Sequence, residues 1–204
     1  IYDQNPGDVI LINIHTGGYA TPSAGEPDFR TNFGDDIANQ SNLSGYPAGT
    51  VNRHQFSMSQ SGGTAMSRGD WTNASSQILN QPSYINVAAQ STININTREL
   101  TVVVETFYTG TPPSSITNTL NVALLQNNVA GPQSGAANWN PSAIISGPWN
   151  PTYNHQHMLR HLLTGQWGEN IPNSSGFYTN TYTYSIPNNL NGVDYDLFNL
   201  EVAV

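Results

Sequence analysis

The chain has 204 residues, a formal net charge of −8 and a charged fraction of only 9%, which suits one large domain or two small ones. All five basic residues are arginines (Arg30, Arg53, Arg68, Arg98 and Arg160), so no lysine cluster can neutralise a phosphate backbone or an anionic leaflet, which argues against nucleic-acid and membrane-surface binding. The chain has no cysteine, which excludes disulfides, thiolate metal sites and cysteine nucleophiles within it, and no apolar run reaches the ~18 residues of a membrane span.

Neutral polar residues (Asn, Ser, Thr, Gln, Gly) dominate, a composition more typical of an extracellular or envelope protein than of a cytosolic one. Runs such as VILINI (9–14) and LTVVVETFY (100–108) demand burial and argue against disorder. The sequence opens IYDQNPGDVILINIH, a frayed helix end, a turn at Asn5-Pro6-Gly7-Asp8 and a strand. It stops in LFNLEVAV (197–204), an alternating strand. A chain that starts and stops within elements reads as part of something longer.

In chain order, Asp8–His15 is predicted as a strand buried on both faces, as in a parallel sheet. Residues 16–27 read as a loop. From Asp28 to about Ser41, Phe29, Phe33, Ile37 and Ala38 fall at helical offsets, with Asp28 as a cap or first-turn acid. The Gly45-Tyr46-Pro47-Ala48-Gly49 turn leads to a short strand over Thr50–Phe56. Trp71–Gln81 is a second predicted helix, with Asp70 as N-cap and Pro82 as stop. From Tyr84 the period changes to two. Tyr84–Asn96 and Glu99–Tyr108 form a predicted hairpin turning near Thr97-Arg98. Strands are predicted at Leu120–Gln126, His155–Thr164, Phe177–Ser185 and Tyr195–Val204, with a long loop over Ala130–Pro151. The pattern is α/β before residue 82 and an antiparallel sandwich after it.

NIHTGGYATP (13–22), DFRTNFG (28–34), GYPAGTVNR (45–53), NVALLQ (121–126) and YNHQHMLRHL (153–162) stand in that order. Together they resemble the Omp28 family of Bacteroidete cell-envelope proteins, many of them lipoproteins, over most of the chain. The resemblance implies an α+β fold: an incomplete thioredoxin-like α/β segment at 1–82, followed by an antiparallel β-sandwich at 83–204. In many members a Cys-x-x-Cys lies upstream of the strand matched by VILINIH, and this chain lacks that segment. On the residues alone, Tyr46-Pro47 reads as an ordinary trans turn between glycines. The resemblance implies a cis bond there, where thioredoxin-like folds place one beside the redox centre.

Several constellations are candidates for chemistry. His155, His157 and His161 are predicted on one strand face, where three imidazoles could bind zinc, although no carboxylate stands near them in sequence to orient the rings. The alternative is a polar strand whose histidines bond to loops. His15, at the carboxyl end of the first predicted strand, is a candidate base or ligand, or a residue that only pins the next loop. Gly17-Gly18 is too short for a phosphate loop. Asp35 and Asp36 are adjacent on a helix and do not share a face. Asp194 and Asp196 could hold calcium, but lack the glycine-punctuated loop. No Gly-x-Ser-x-Gly is present. Trp139, Trp149 and Trp167, with the Tyr178/Tyr182/Tyr184 row, point to a binding surface in loops.

The reading is therefore a non-catalytic envelope or surface module that binds protein partners, with His15, Tyr46, Pro47, Trp139 and Trp149 as binding residues. It needs no catalytic residue, metal or cofactor, and it leaves self-assembly open. One alternative is a thiol–disulfide oxidoreductase relative whose cysteines lie outside the chain. The other is a metal-binding protein built on His155, His157 and His161.

Overall fold

In the computed structural model, residues 2–60, 62–112, 116–172 and 176–204 are described. Three α-helices occur among them: α1 Gly34–Ser41, α2 Trp71–Leu79 and α3 Ala136–Trp139. The strands are β1 Ile85–Asn94, β2 Glu99–Tyr108, β3 Thr119–Leu120, β4 Ala123–Gln126, β5 Val129–Pro132, β6 Ile144–Ile145 and β7 Thr152–His155. They continue with β8 Met158–Leu162, β9 Glu169–Asn170, β10 Phe177–Ser185, β11 Asn189–Leu190, β12 Val193–Asp194 and β13 Leu200–Ala203. The larger sheets run β1-β2-β10, β13-β4-β8 and β5-β7-β6, with two-stranded β3-β9 and β11-β12 beside them. The strand pairs are antiparallel. The chain is α+β.

Alternation in LTVVVETFY explains the main core. Leu100, Val102, Val104 and Tyr108 of β2 point inward, and Thr101, Val103, Glu105 and Phe107 point outward. The inward row packs with Leu124 of β4, Tyr182 of β10, and Leu120, Val122 and Ile171. Sheets β1-β2-β10 and β13-β4-β8 thus close on one core. Strand β4 is buried along its whole length, because its other face, Ala123 and Leu125, is covered as well. Leu162, Leu159 and Ala203 stand beside them on the neighbouring strands, and Ile14, Phe33 and Ile37 pack over this row. Residues from the chain before β1 thus cover the back of the β13-β4-β8 sheet, so contacts cross residue 82. Phe29 packs with Val129 and Met158, and its ring fills the space that a Cβ on Gly131 would need. Asp36 accepts from the Gln166 amide (2.8 Å) and the Arg30 carbonyl accepts from Asn191 (2.9 Å). A smaller cluster, Phe56, Met66 and Ala74 with Val51, Trp71 and Ile78, lies wholly within the first 82 residues.

Several predicted elements differ. The strand over 8–15 does not form. Ile10, Leu11 and Ile12 are 53, 37 and 43% exposed, and the segment touches a sheet only through a parallel bridge from Asn13 to Met158. Two backbone bonds hold that bridge, Asn13 N–H to the His157 carbonyl (2.8 Å) and Leu159 N–H to the Asn13 carbonyl (2.9 Å). No strand forms over 50–56 either; Gly49 instead bridges Met66. The first helix starts at Gly34 rather than Asp28, because Asp28 is held by Arg30, whose backbone N–H and guanidinium both donate to it. Asp35 and Asp36 then favour the first turn of α1, and Asn42, left-handed at φ 51, ends it. Asp70 makes no side-chain cap bond to α2, because a 3-10 turn at Arg68–Asp70 runs directly into that helix. The Ala130–Pro151 loop contains β6, α3 and most of β5.

Candidate functional site

Two loops from the first 82 residues meet at Tyr46. The Tyr46–Pro47 bond is cis, as is Asn150–Pro151. Gly17 has φ 69 and ψ −170, a region open in practice to glycine alone. A Cβ there would collide with the Tyr46 hydroxyl, so Gly17 is the seat of that tyrosine. Tyr19 leans edge-on against Tyr46 at 5.7 Å and is itself 88% exposed. Thr16 Oγ1–H donates to Asp35 Oδ1, and Gly17 N–H donates to the same oxygen at 3.4 Å. These bonds hold the Asp35 carboxyl below its ordinary range, the Thr16 bond most of all, and fix the loop to the first turn of α1. Beside the tyrosines lies a shallow cleft of about 240 Å³, lined by Ala38, Asn39, Asn42, Leu43 and Tyr46. A ring and two amide side chains around a shallow opening can receive another surface.

His15 is predicted beside this site, but its ring packs edge-on to Phe29 (5.2 Å) and His155 (5.1 Å). His155 also meets Phe29 and Tyr153. Both histidines are lowered to about 4, by burial for His15 and by burial together with the nearby His15 for His155. Both are neutral at physiological pH, so they act as flat packing surfaces that anchor the strap running from residue 13 to residue 29.

The three histidines of the second half do not share a face. His157 stands at φ 51 between β7 and β8, so a turn separates His155 from His161 and ends the strand that would have aligned them. His157 Nδ1 meets Glu201 Oε2 at 2.9 Å. His161 stacks on Tyr184 at 4.0 Å and touches Phe33, and burial lowers its pKa. Each ring has its own environment, and among the described residues no three metal-ligating side chains converge. Glu201, the carboxylate that orients His157, lies 44 residues away and could not be found from local spacing. Asp196 accepts from the Phe198 N–H (3.0 Å) and from Asn199 (2.6 Å), so its carboxylate serves a turn.

The tryptophans divide. Trp139 is 70% exposed and carries the Arg68 guanidinium at 3.8 Å from its ring centroid, a cation–π contact. Trp167 has Arg53 at 6.0 Å. Trp149 is half-buried and turns the chain: its N–H donates to Thr152 Oγ1 (2.9 Å), which donates back to its carbonyl (3.0 Å). Arg160 is buried, lies 4.3 Å from the Tyr195 ring centroid and donates to the Val193 carbonyl at 2.7 Å. Burial lowers its pKa. A carbonyl, a ring and the charge of Asp194 act on its guanidinium, a setting that sequence spacing does not reveal.

An α+β chain with several antiparallel sheets, a low-charge surface and exposed rings around a shallow cleft fits a protein of the cell envelope. The comparison of families makes this specific. The family described as outer membrane protein Omp28 matches residues 35–200, most of the chain, and the protein belongs to that family. Its place is the cell envelope, at the outer membrane. No curated protein and no solved structure matches the chain. No helix among the described residues is long and apolar enough to cross a membrane.

Proposed function

We propose that this is a non-catalytic module of the outer-membrane surface that binds partner proteins in a larger assembly. The observation that supports it most is the Tyr19–Tyr46 pair: one ring held on a glycine seat and a second, almost fully in solvent, leaning on it beside a polar cleft. Holding large rings in water is unfavourable, and tyrosine is enriched where protein surfaces meet. Trp139 and Trp167, each beside an arginine, extend the same kind of surface. Membership of an outer-membrane family supplies the setting. The thiol–disulfide reading gains no support, since the strands it needs on both sides of Pro47 do not form among the described residues. The histidine metal reading loses its geometry for the reasons given above.

The test is a photo-reactive phenylalanine analogue placed at Tyr19 in cells. The expected result is a covalent adduct with a second protein after illumination, and its loss in Gly17→Val, which unseats Tyr46. Recovery of the uncrosslinked chain alone would overturn the reading.

A further inference from the structure

Strand β1 is the edge of the β1-β2-β10 sheet, and no strand pairs with its outer side among the described residues. It is ten residues long, INVAAQSTIN, and only Ile85 and Ile93 are even half-buried. The register with β2 places Ile85, Val87, Ala89, Ser91 and Ile93 opposite Tyr108, Thr106, Val104, Val102 and Leu100, on the face toward the core. In β2 that row is sealed, 0 to 6% exposed, whereas Val87, one strand further out, is 46% exposed. The core layer stops at β2 and leaves the inward face of β1 uncovered. The strand contains no charged residue and no proline, so it has none of the usual devices that blunt a free edge.

We propose that β1 pairs antiparallel with β1 of a second copy, about a two-fold axis at Gln90. This rests on the partner-binding reading and names one of its partners. A sheet continues across such an interface only if inward residues face inward residues, because side chains alternate with period two. Pairing about Gln90 satisfies this and matches like with like. Val87 faces Ile93 of the second copy, Ala89 faces Ser91, Ala88 faces Thr92, Asn86 faces Asn94, and Gln90 faces itself. The contact is isologous: each pair off the axis occurs twice, so Val87 and Ile93 of both copies cover the open inward face. The row is its own complement, since no like charges meet across the axis and the half-exposed apolar pair Val87 and Ile93 face each other from both copies. The pairing joins two three-stranded sheets into one of six strands. The edge alone buries less than the ~800 Å² per partner of a standard stable interface, so the dimer dissociates on dilution.

Because the chain has no cysteine, Gln90→Cys gives a single, exposed thiol at the axis. Under mild oxidation of the full-length protein, Q90C is expected to form a disulfide dimer at least tenfold faster than T181C, a control thiol on the opposite sheet edge. The double variant V87K/Q90C is expected to lose that advantage, and scattering on a sizing column to show the wild-type mass doubling with concentration while V87K stays monomeric. Circular dichroism confirms that each variant is folded. Equal rates for Q90C and T181C in folded protein would overturn the pairing. If Q90C crosslinks in cells only to a different protein, self-pairing fails and partner binding stands. If neither the Q90C thiol nor the probe at Tyr19 yields any adduct, both fail.

Discussion

The two parts of the chain on either side of residue 82 are held by different means. After it, ladders do the holding: β2 pairs along nearly its full length with both β1 and β10, and Leu100, Val102, Val104, Val122 and Leu124 are fully buried between sheets. Before it, the described residues contain no strand, two short helices and a series of single contacts. One bridge at Asn13, a ring against Gly131, a buried pair of imidazoles and an Asp35 anchor take the place of a ladder. The ladder region supplies a rigid base, and the first part, fixed at a few points, carries the exposed Tyr19–Tyr46 pair.

The largest test of this contrast is in the shared core. Leu124→Ala is expected to cost about 3–5 kcal/mol and to lower global stability in chemical denaturation, whereas Met66→Ala is expected to loosen mainly the small cluster around Phe56 and Ala74. Hydrogen exchange distinguishes the two: if M66A exposes the β2 amides as much as those of α2, the first part is not a separate layer.

Acid comes next. An unfolded chain takes up protons on His15 and His155 near the ordinary 6.5, while the folded chain does so only near 4. Their neutral packing is therefore fully in place above 6.5 and is progressively lost as the pH falls toward 4, by roughly 3 kcal/mol for each ring. Exchange over residues 13–30 is expected to rise in that window before β2 opens, and His155→Phe to flatten the dependence. An unchanged pH profile in H155F would remove the imidazoles from the account of how the strap is held.

Gly131→Ala is a smaller perturbation. Its Cβ would run into the Phe29 ring, so an overpacking cost of about 1–3 kcal/mol is expected, read as a lower melting temperature. Smallest is Asp35→Asn, which removes a carboxylate from the first turn of α1 and weakens the bonds from Thr16 and Gly17. A few tenths of a kcal/mol are expected, with greater motion of Tyr19 in fluorine NMR of a labelled ring as the more sensitive readout.

Legibility in the sequence follows the same division. The predicted hairpin at 84–96 and 99–108 lies within two residues of β1 and β2, because period-two alternation is a local signal. The second helix was legible for the same reason, by its spacing and by Pro82. VILINI misled because its apolar run fits a buried strand, whereas it lies along a sheet edge, tied at Asn13 and exposed at Ile10 and Ile12. The histidines misled because left-handed His157 breaks the period that placed them on one face. Tyr46 and Pro47 were visible as an unusual turn. The partners Gly17 and Tyr19 were not, since a glycine that seats a ring 29 residues later leaves no periodic trace. Glu201 and the setting of Arg160 against Tyr195 and the Val193 carbonyl likewise depend on long-range packing.

The bridge at Asn13 has a last consequence. It occupies the backbone groups of β8 on one side of the β13-β4-β8 sheet, while β13 on the other side pairs, among the described residues, only with β4. Strand addition at the Met158 end of the β8 edge would therefore have to displace the chain's own single-residue plug.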